Sequence, residues 1–175
     1  MKRIAIIGSG GSGKSTLARK LGEYLTIEVF HMDALFWKSG WVGASRDEQI
    51  LVQSELVEQE SWIFDGNYGG TMDIRLNKAD TIIFLDIPRT ICAYRLLKRR
   101  FQYRNKTRPD MAAGCNEKLD LEFIKWVWAY PKTKKPIILK KLESLSKVKE
   151  TIILTSPGEV EQFLRKIKTK HLNSF

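Results

Sequence analysis

Residues Gly8-Ser9-Gly10-Gly11-Ser12-Gly13-Lys14-Ser15 spell G-x-x-x-x-G-K-[ST], and no other stretch of the chain constrains the fold as tightly. Such a loop works only between a buried parallel strand and the N-terminus of a helix. Both flanks are present. Arg3-Ile4-Ala5-Ile6-Ile7 is a short β-branched run that reads as a strand covered on both faces. Beyond the loop, Leu17, Leu21 and Leu25 recur on one face of a helix. A triphosphate is met by successive backbone N–H groups and by the helix N-terminus. The glycines let the chain take positive φ and approach phosphate oxygens with no Cβ between. Lys14 is the point charge for the β- and γ-phosphates, and the Ser15 hydroxyl is a ligand for Mg²⁺. Gly8, Ser9, Gly10, Gly11, Ser12, Gly13, Lys14, Ser15 and the adjoining Thr16 therefore form the expected nucleotide-binding set.

The 175 residues read as a single α/β domain, long enough to bury about 70% of the surface of the unfolded chain. Strands and helices alternate, which requires a parallel sheet with helices on both faces. Ile27–His31 is the second strand, Trp62-Ile63-Phe64 the third, Thr81–Leu85 the fourth and Thr151–Leu154 the fifth. Helices are expected over about 46–60, 89–104 and 118–130, and after Ser156-Pro157-Gly158, with a polar loop at 105–117.

Charge is unevenly divided. Residues 1–88 carry net −3 and residues 89–175 net +13. Within 89–110, eight basic residues stand against Asp110 alone. Two cysteines, Cys92 and Cys115, form no C-x-x-C and suit a reducing compartment. Met1-Lys2-Arg3 runs directly into a core strand and no apolar run is long enough to span a bilayer, so the expectation is a cytoplasmic protein without a leader or membrane partner.

In an open α/β sheet, ligands lie outside the carboxyl ends of the strands, and three strands here end at aspartates. Asp65 follows an apolar run and precedes a glycine, a pattern that holds Mg²⁺; Asp86 has the same local pattern, and either could instead cap a helix. Asp33 ends the second strand, where it would orient or deprotonate an acceptor hydroxyl or cap the next turn. Gly69-Gly70 could open a helix as a second anion site, with Arg75 one turn further on, or form a plain turn.

Arg95, Arg99 and Arg100 fall at i, i+4 and i+5, so at least two can enter one site. The basic run is read as a lid that closes over a γ-phosphate, as a nucleic-acid surface with Phe101 and Tyr103 interleaved, or as a solvated face. Phe123, Trp126, Trp128 and Tyr130 have helical spacing and read as core. Asn77-Lys78-Ala79-Asp80 imitates a guanine-reading motif but precedes a strand instead of following one.

Together the phosphate loop, Trp62–Gly66, Asp80–Pro88 and Arg95 with Arg99-Arg100 resemble adenylate-kinase-type P-loop kinases over most of the chain. His31–Trp37, Asp65–Met72 and Lys106–Met111 are similar to the bacterial family called DNA topology modulation proteins. The resemblance implies a five-stranded parallel sheet in the order 2-3-1-4-5, ATP and Mg²⁺ as ligands, and an arginine-bearing lid over 95–136. It also implies that Ser156 and Pro157 lie beside the adenine. The arginine of the adenylate kinases' D-G-F-P-R is replaced by Gly69, a departure at the residue that grips an acceptor phosphate. Asp33 with Gly69-Gly70 is more similar to shikimate-kinase-like enzymes. The expectation is a kinase with Lys14, Asp33, Arg95, Arg99 and Arg100 catalytic, Ser15 and Asp65 on the metal, and Asp33, Gly69, Gly70 and Arg75 on a small acceptor. An ATP-regulated nucleic-acid-binding protein is the alternative.

Overall fold

The computed structural model describes residues 1–104, 106–118 and 120–172; Asn105, read above as part of the polar loop, lies outside them. Strand β1 (Arg3–Gly8) leads through the glycine loop into helix α1 (Lys14–Leu25). Then follow β2 (Val29–His31), α2 (Met32–Phe36), β3 (Trp37–Lys38), β4 (Val42–Gly43) and α3 (Arg46–Leu56). The middle of the chain forms β5 (Trp62–Asp65), a 3-10 turn at Gly69–Thr71, α4 (Met72–Lys78), β6 (Thr81–Leu85) and α5 (Arg89–Gln102). The remainder forms α6 (Leu121–Thr133), α7 (Lys135–Leu145), β7 (Glu150–Leu154) and α8 (Pro157–Leu172).

The main sheet is parallel, in the order β2-β5-β1-β6-β7. With β3 and β4 set aside this is the expected 2-3-1-4-5 order. The difference is that β3 and β4, two residues each, pair only with one another, as a small antiparallel hairpin. Alternation along β1 divides the core. Ala5 and Ile7 pack with Trp62, Phe64, Ile82, Phe84, Leu76 and Leu142 on one face; Ile4 and Ile6 pack with Leu17, Leu21, Ile83, Cys92 and Leu164 on the other. Burial on both faces accounts for the near-continuous apolar strands.

Local signals set several boundaries. Ser45 and Glu48 close a reciprocal capping box on α3, which ends at Leu56, sooner than the reading to residue 60. Asp120 accepts from the Phe123 N–H, so α6 begins at Leu121 rather than 118. Asp80, last residue of the guanine-motif lookalike, accepts the backbone N–H groups of Lys2 and Arg3 at 2.8 and 2.9 Å and fastens the start of β1. Among the described residues, no helix is long and apolar enough to cross a membrane.

Candidate active site

The sheet register brings the strand ends together. His31 and Asp65 are direct partners across β2 and β5, and Gly8 is opposite Leu85 across β1 and β6. A cleft of about 570 Å³ opens at this edge, lined by Lys14, Ser15, Asp33, Asp65, Arg95 and Arg99 among others.

The phosphate loop is tightly enclosed. Gly11 has φ +75°, and a Cβ there would lie 2.4 Å from the Cys92 carbonyl oxygen; at Gly10 it would lie 2.5 Å from the Phe123 ring. Only glycine lets α5 and α6 pack this closely on the loop. The Gly8 N–H donates to Asn67 Oδ1 at 3.0 Å, and Arg95 Nη1 donates to the Ser12 carbonyl at 3.1 Å. Lys14 Nζ donates to the Ser9 carbonyl at 2.9 Å. Burial lowers the Lys14 pKa, while Asp65 and Asp33 act in the opposite direction. The Ser9 and Ser12 hydroxyls are buried and have no hydrogen-bond partner. An enclosed loop with unpartnered polar atoms suits a phosphate chain, so the residues present fit ATP.

At the end of β5, Asp65 is buried and its Oδ2 lies 2.5 Å from His31 Nδ1. Burial opposes charge on His31, but the hydrogen bond and charge of Asp65 outweigh it and raise the His31 pKa. Asp33 sits in the first turn of α2, whose cap position is His31, so it is not itself the cap. Its side chain is 46% exposed, and Oδ1 accepts from the Tyr68 hydroxyl at 3.0 Å. Partial burial raises the Asp33 pKa, against the charges of Lys14 and Arg108.

The segment after α5 folds over the cleft through a buried ion-pair cluster. Arg108 meets Asp110 at 2.7 Å, Glu117 at 2.9 Å and Asp33 at 4.0 Å. Arg99 meets the same Glu117 at 2.9 Å. Burial opposes ionisation of Asp110, but Arg108 and the Ser15 hydroxyl stabilise its carboxylate and lower its pKa.

Three expectations change. Arg75 is fully buried, and its guanidinium donates to the Gly66 and Asn67 carbonyls and to Gln53 Oε1, so it supports the β5 loop from beneath and does not face an acceptor. Burial lowers its pKa to about 9, which leaves it charged at neutral pH. Gly69 and Gly70 form an exposed 3-10 turn with open space around them, outside the cleft lining. The turn does open a helix, running directly into α4, but neither glycine lines the cleft. Arg100 donates to the Glu117 carbonyl at 3.1 Å and does not line the cleft, whereas Arg99 does. Asp86 is paired with Lys135 at 2.6 Å and does not line the cleft, whereas Asp65 does, in keeping with the expected metal residue.

Ser156 caps α8, accepting from the Glu159 N–H at 3.2 Å. Pro157 borders a second cavity of about 420 Å³ that runs from Ser12, Gly13 and Thr16 to α8. Phe123 and Trp126, read as core, stack at 5.6 Å and line the main cleft. Trp128 is exposed beneath the Arg89 guanidinium, and Tyr130 is buried.

Sequence reasoning sets His31 aside, because a lone histidine is more often structural, and misses Tyr68, Arg108, Asp110 and Glu117. His31 had a usable signal, its place two residues before Asp33 at the end of an apolar strand, although β2 ends at His31 and Asp33 belongs to α2.

No protein-family model matches the chain. It is 30% identical over 132 residues to a protein of Bacillus subtilis (strain 168) described as "Uncharacterized protein YqaC", covering 74% of this chain and 72% of that protein. Among solved structures, it is similar to shikimate kinase from Acinetobacter baumannii in complex with shikimate (TM-score 0.60, 18% identity, 99% of this chain and 94% of that one). It is also similar to a gluconokinase from Sinorhizobium meliloti 1021 (TM-score 0.54, 13% identity, 98% and 92% covered). The chain belongs to the family of Bacillus subtilis YqaC, and its fold is that of the small adenylate-kinase-like P-loop kinases.

Proposed function

We propose that this protein is a kinase that transfers the γ-phosphoryl group of ATP to a hydroxyl of a small acceptor. One observation carries the reading: Lys14 beside the phosphate loop, Asp33 after β2 and Asp65 at the end of β5 line a single cleft. The acceptor oxygen attacks the γ-phosphorus, the bond to the β–γ bridging oxygen breaks, ADP leaves, and the hydroxyl proton passes to the Asp33 carboxylate. Lys14 and the loop N–H groups bind the phosphates, and Arg95 and Arg99 face the same space from α5. Ser15 and Asp65 are the residues that would hold Mg²⁺, which when bound neutralises phosphate charge.

In this reading residues 1–175 are one domain, and 95–136 is the lid over the phosphates. The inward pairing of Arg99 and Arg100 with Glu117 supports a lid over an outward nucleic-acid surface. The test is ADP formation from ATP and Mg²⁺ across a panel of hydroxyl acceptors, with Lys14→Ala alongside. Lys14-dependent stimulation by an acceptor is expected. Turnover that persists unchanged in a folded Lys14→Ala protein would contradict the assignment.

A further inference from the structure

We propose that the acceptor is an uncharged ring-bearing alcohol, packed against an aromatic wall of Trp37, Trp41 and Tyr68 with its reacting hydroxyl on Asp33. This deepens the kinase reading and rests on it. The three aromatic residues line the cleft together with Asp33. Trp37 and Trp41 pack edge to face at 5.5 Å, and the Tyr68 hydroxyl beside them donates to Asp33 Oδ1 at 3.0 Å. The wall is built at a conformational cost. Trp41 has φ +65° and Tyr68 φ +31°, and among the described residues the only other non-glycine residue with positive φ is Thr26. Bulky residues adopt this region only where the surroundings hold them there. Here the hairpin of β3 and β4 is pinned to the lid: the Gly40 N–H donates to the Gly114 carbonyl at 3.3 Å, and Trp41 Nε1 to the Asn116 carbonyl at 3.0 Å.

The arginines beside this wall are already matched. Arg108 is held by Asp110 and Glu117, and Arg99 by Glu117. Lys118 lies over the Trp41 ring, 5.0 Å from its centroid. Arg19, Arg95 and Lys98, which line the cleft without a carboxylate partner among the described residues, stand on α1 and α5, the helices that flank the phosphate loop. An acceptor carboxylate or phosphate seated at Asp33 would meet a carboxylate and no free guanidinium fork. A neutral ring avoids that cost and gains contact with the indoles.

The experiment pairs each neutral acceptor with its charged counterpart, using the full-length protein. Nucleosides are set against their 5′-monophosphates, and hexoses against hexose 6-phosphates and hexuronates. A neutral member of either class is expected to stimulate ADP formation with kcat/KM on the order of 100-fold above its charged partner, because burying an unpaired charge is costly. Trp41→Ala should raise that acceptor's KM about ten-fold, as lost ring stacking does elsewhere, while KM for ATP holds. Trp41→Phe should restore the acceptor KM; a residue that acted only through its Asn116 hydrogen bond would not be rescued. Equilibrium dialysis of labelled neutral acceptors with a non-hydrolysable ATP analogue reads binding apart from transfer. Binding lost in Trp41→Ala but without turnover in the wild type would support the aromatic site and contradict the kinase reading. Preference for the charged partners, or absence of neutral binding, would overturn the inference and leave the kinase reading standing.

Discussion

The Tyr68 hydroxyl donates to Asp33 Oδ1 at 3.0 Å, across 35 residues of sequence. It does so from a left-handed backbone, φ +31°, a conformation that costs a side-chain-bearing residue about 1–2 kcal/mol. That strain is understandable if the position of the Asp33 carboxylate matters to the reaction. Asp33→Asn should lower kcat by about 10²–10⁴-fold, the usual worth of a positioned base, with KM for ATP changed less than about two-fold. Tyr68→Phe should have a smaller effect in the same direction. An Asp33→Asn enzyme with wild-type kcat would contradict the role.

Arg75 carries a second expectation. It satisfies the buried carbonyls of Gly66 and Asn67 and the amide oxygen of Gln53. Arg75→Ala leaves those acceptors unpaired and should destabilise the protein by about 3 kcal/mol, lowering Tm by roughly 6–12 °C. Thermal unfolding followed by circular dichroism measures this. A Tm within about 1 °C of wild type, with acceptor KM raised instead, would return Arg75 to the acceptor site.

The His31–Asp65 pair makes stability depend on pH. The folded-state pKa of His31 is raised above the ordinary value of 6.5. The stability contributed by charged His31 is therefore fully present below about pH 6.5 and is lost as pH rises through the raised value. In metal-free buffer, Tm should fall across that interval, and His31→Gln should remove the step. A Tm rising with pH over the same window would reverse the sign and refute the pairing.

Gly11→Ala tests the enclosure of the phosphate loop. The new Cβ meets the Cys92 carbonyl at 2.4 Å at a φ of +75°, so either the loop or α5 must move. Destabilisation of about 1–3 kcal/mol is expected, together with loss of ATP binding by isothermal calorimetry. Unchanged ATP affinity would show that α5 does not constrain the loop.

Much of this was readable from local pattern. The glycine loop, the apolar strands and the aspartates at their ends each carry a signal within a few residues, and these fix the sheet and one wall of the cleft. The hairpin at residues 37–43 was not readable, because strands of two residues have no period. The Arg108–Glu117–Arg99 cluster was not readable either. Which carboxylate each arginine meets depends on how the segment after α5 folds back, and a run of eight basic residues looks alike in a lid and on a solvated face. Arg75 followed the turn pattern but is set by burial beneath β5, a long-range fact. The two left-handed aromatics run against residue preference, as expected where a site overrides local propensity.

The most direct test of phosphoryl transfer is the fate of the γ-phosphate. ATP labelled at that group is incubated with Mg²⁺, enzyme and acceptor, and the products are resolved by ³¹P NMR. The account predicts a phosphate ester of the acceptor formed in step with ADP and absent with Lys14→Ala. Label appearing only as inorganic phosphate, at one rate with or without acceptor, would contradict it.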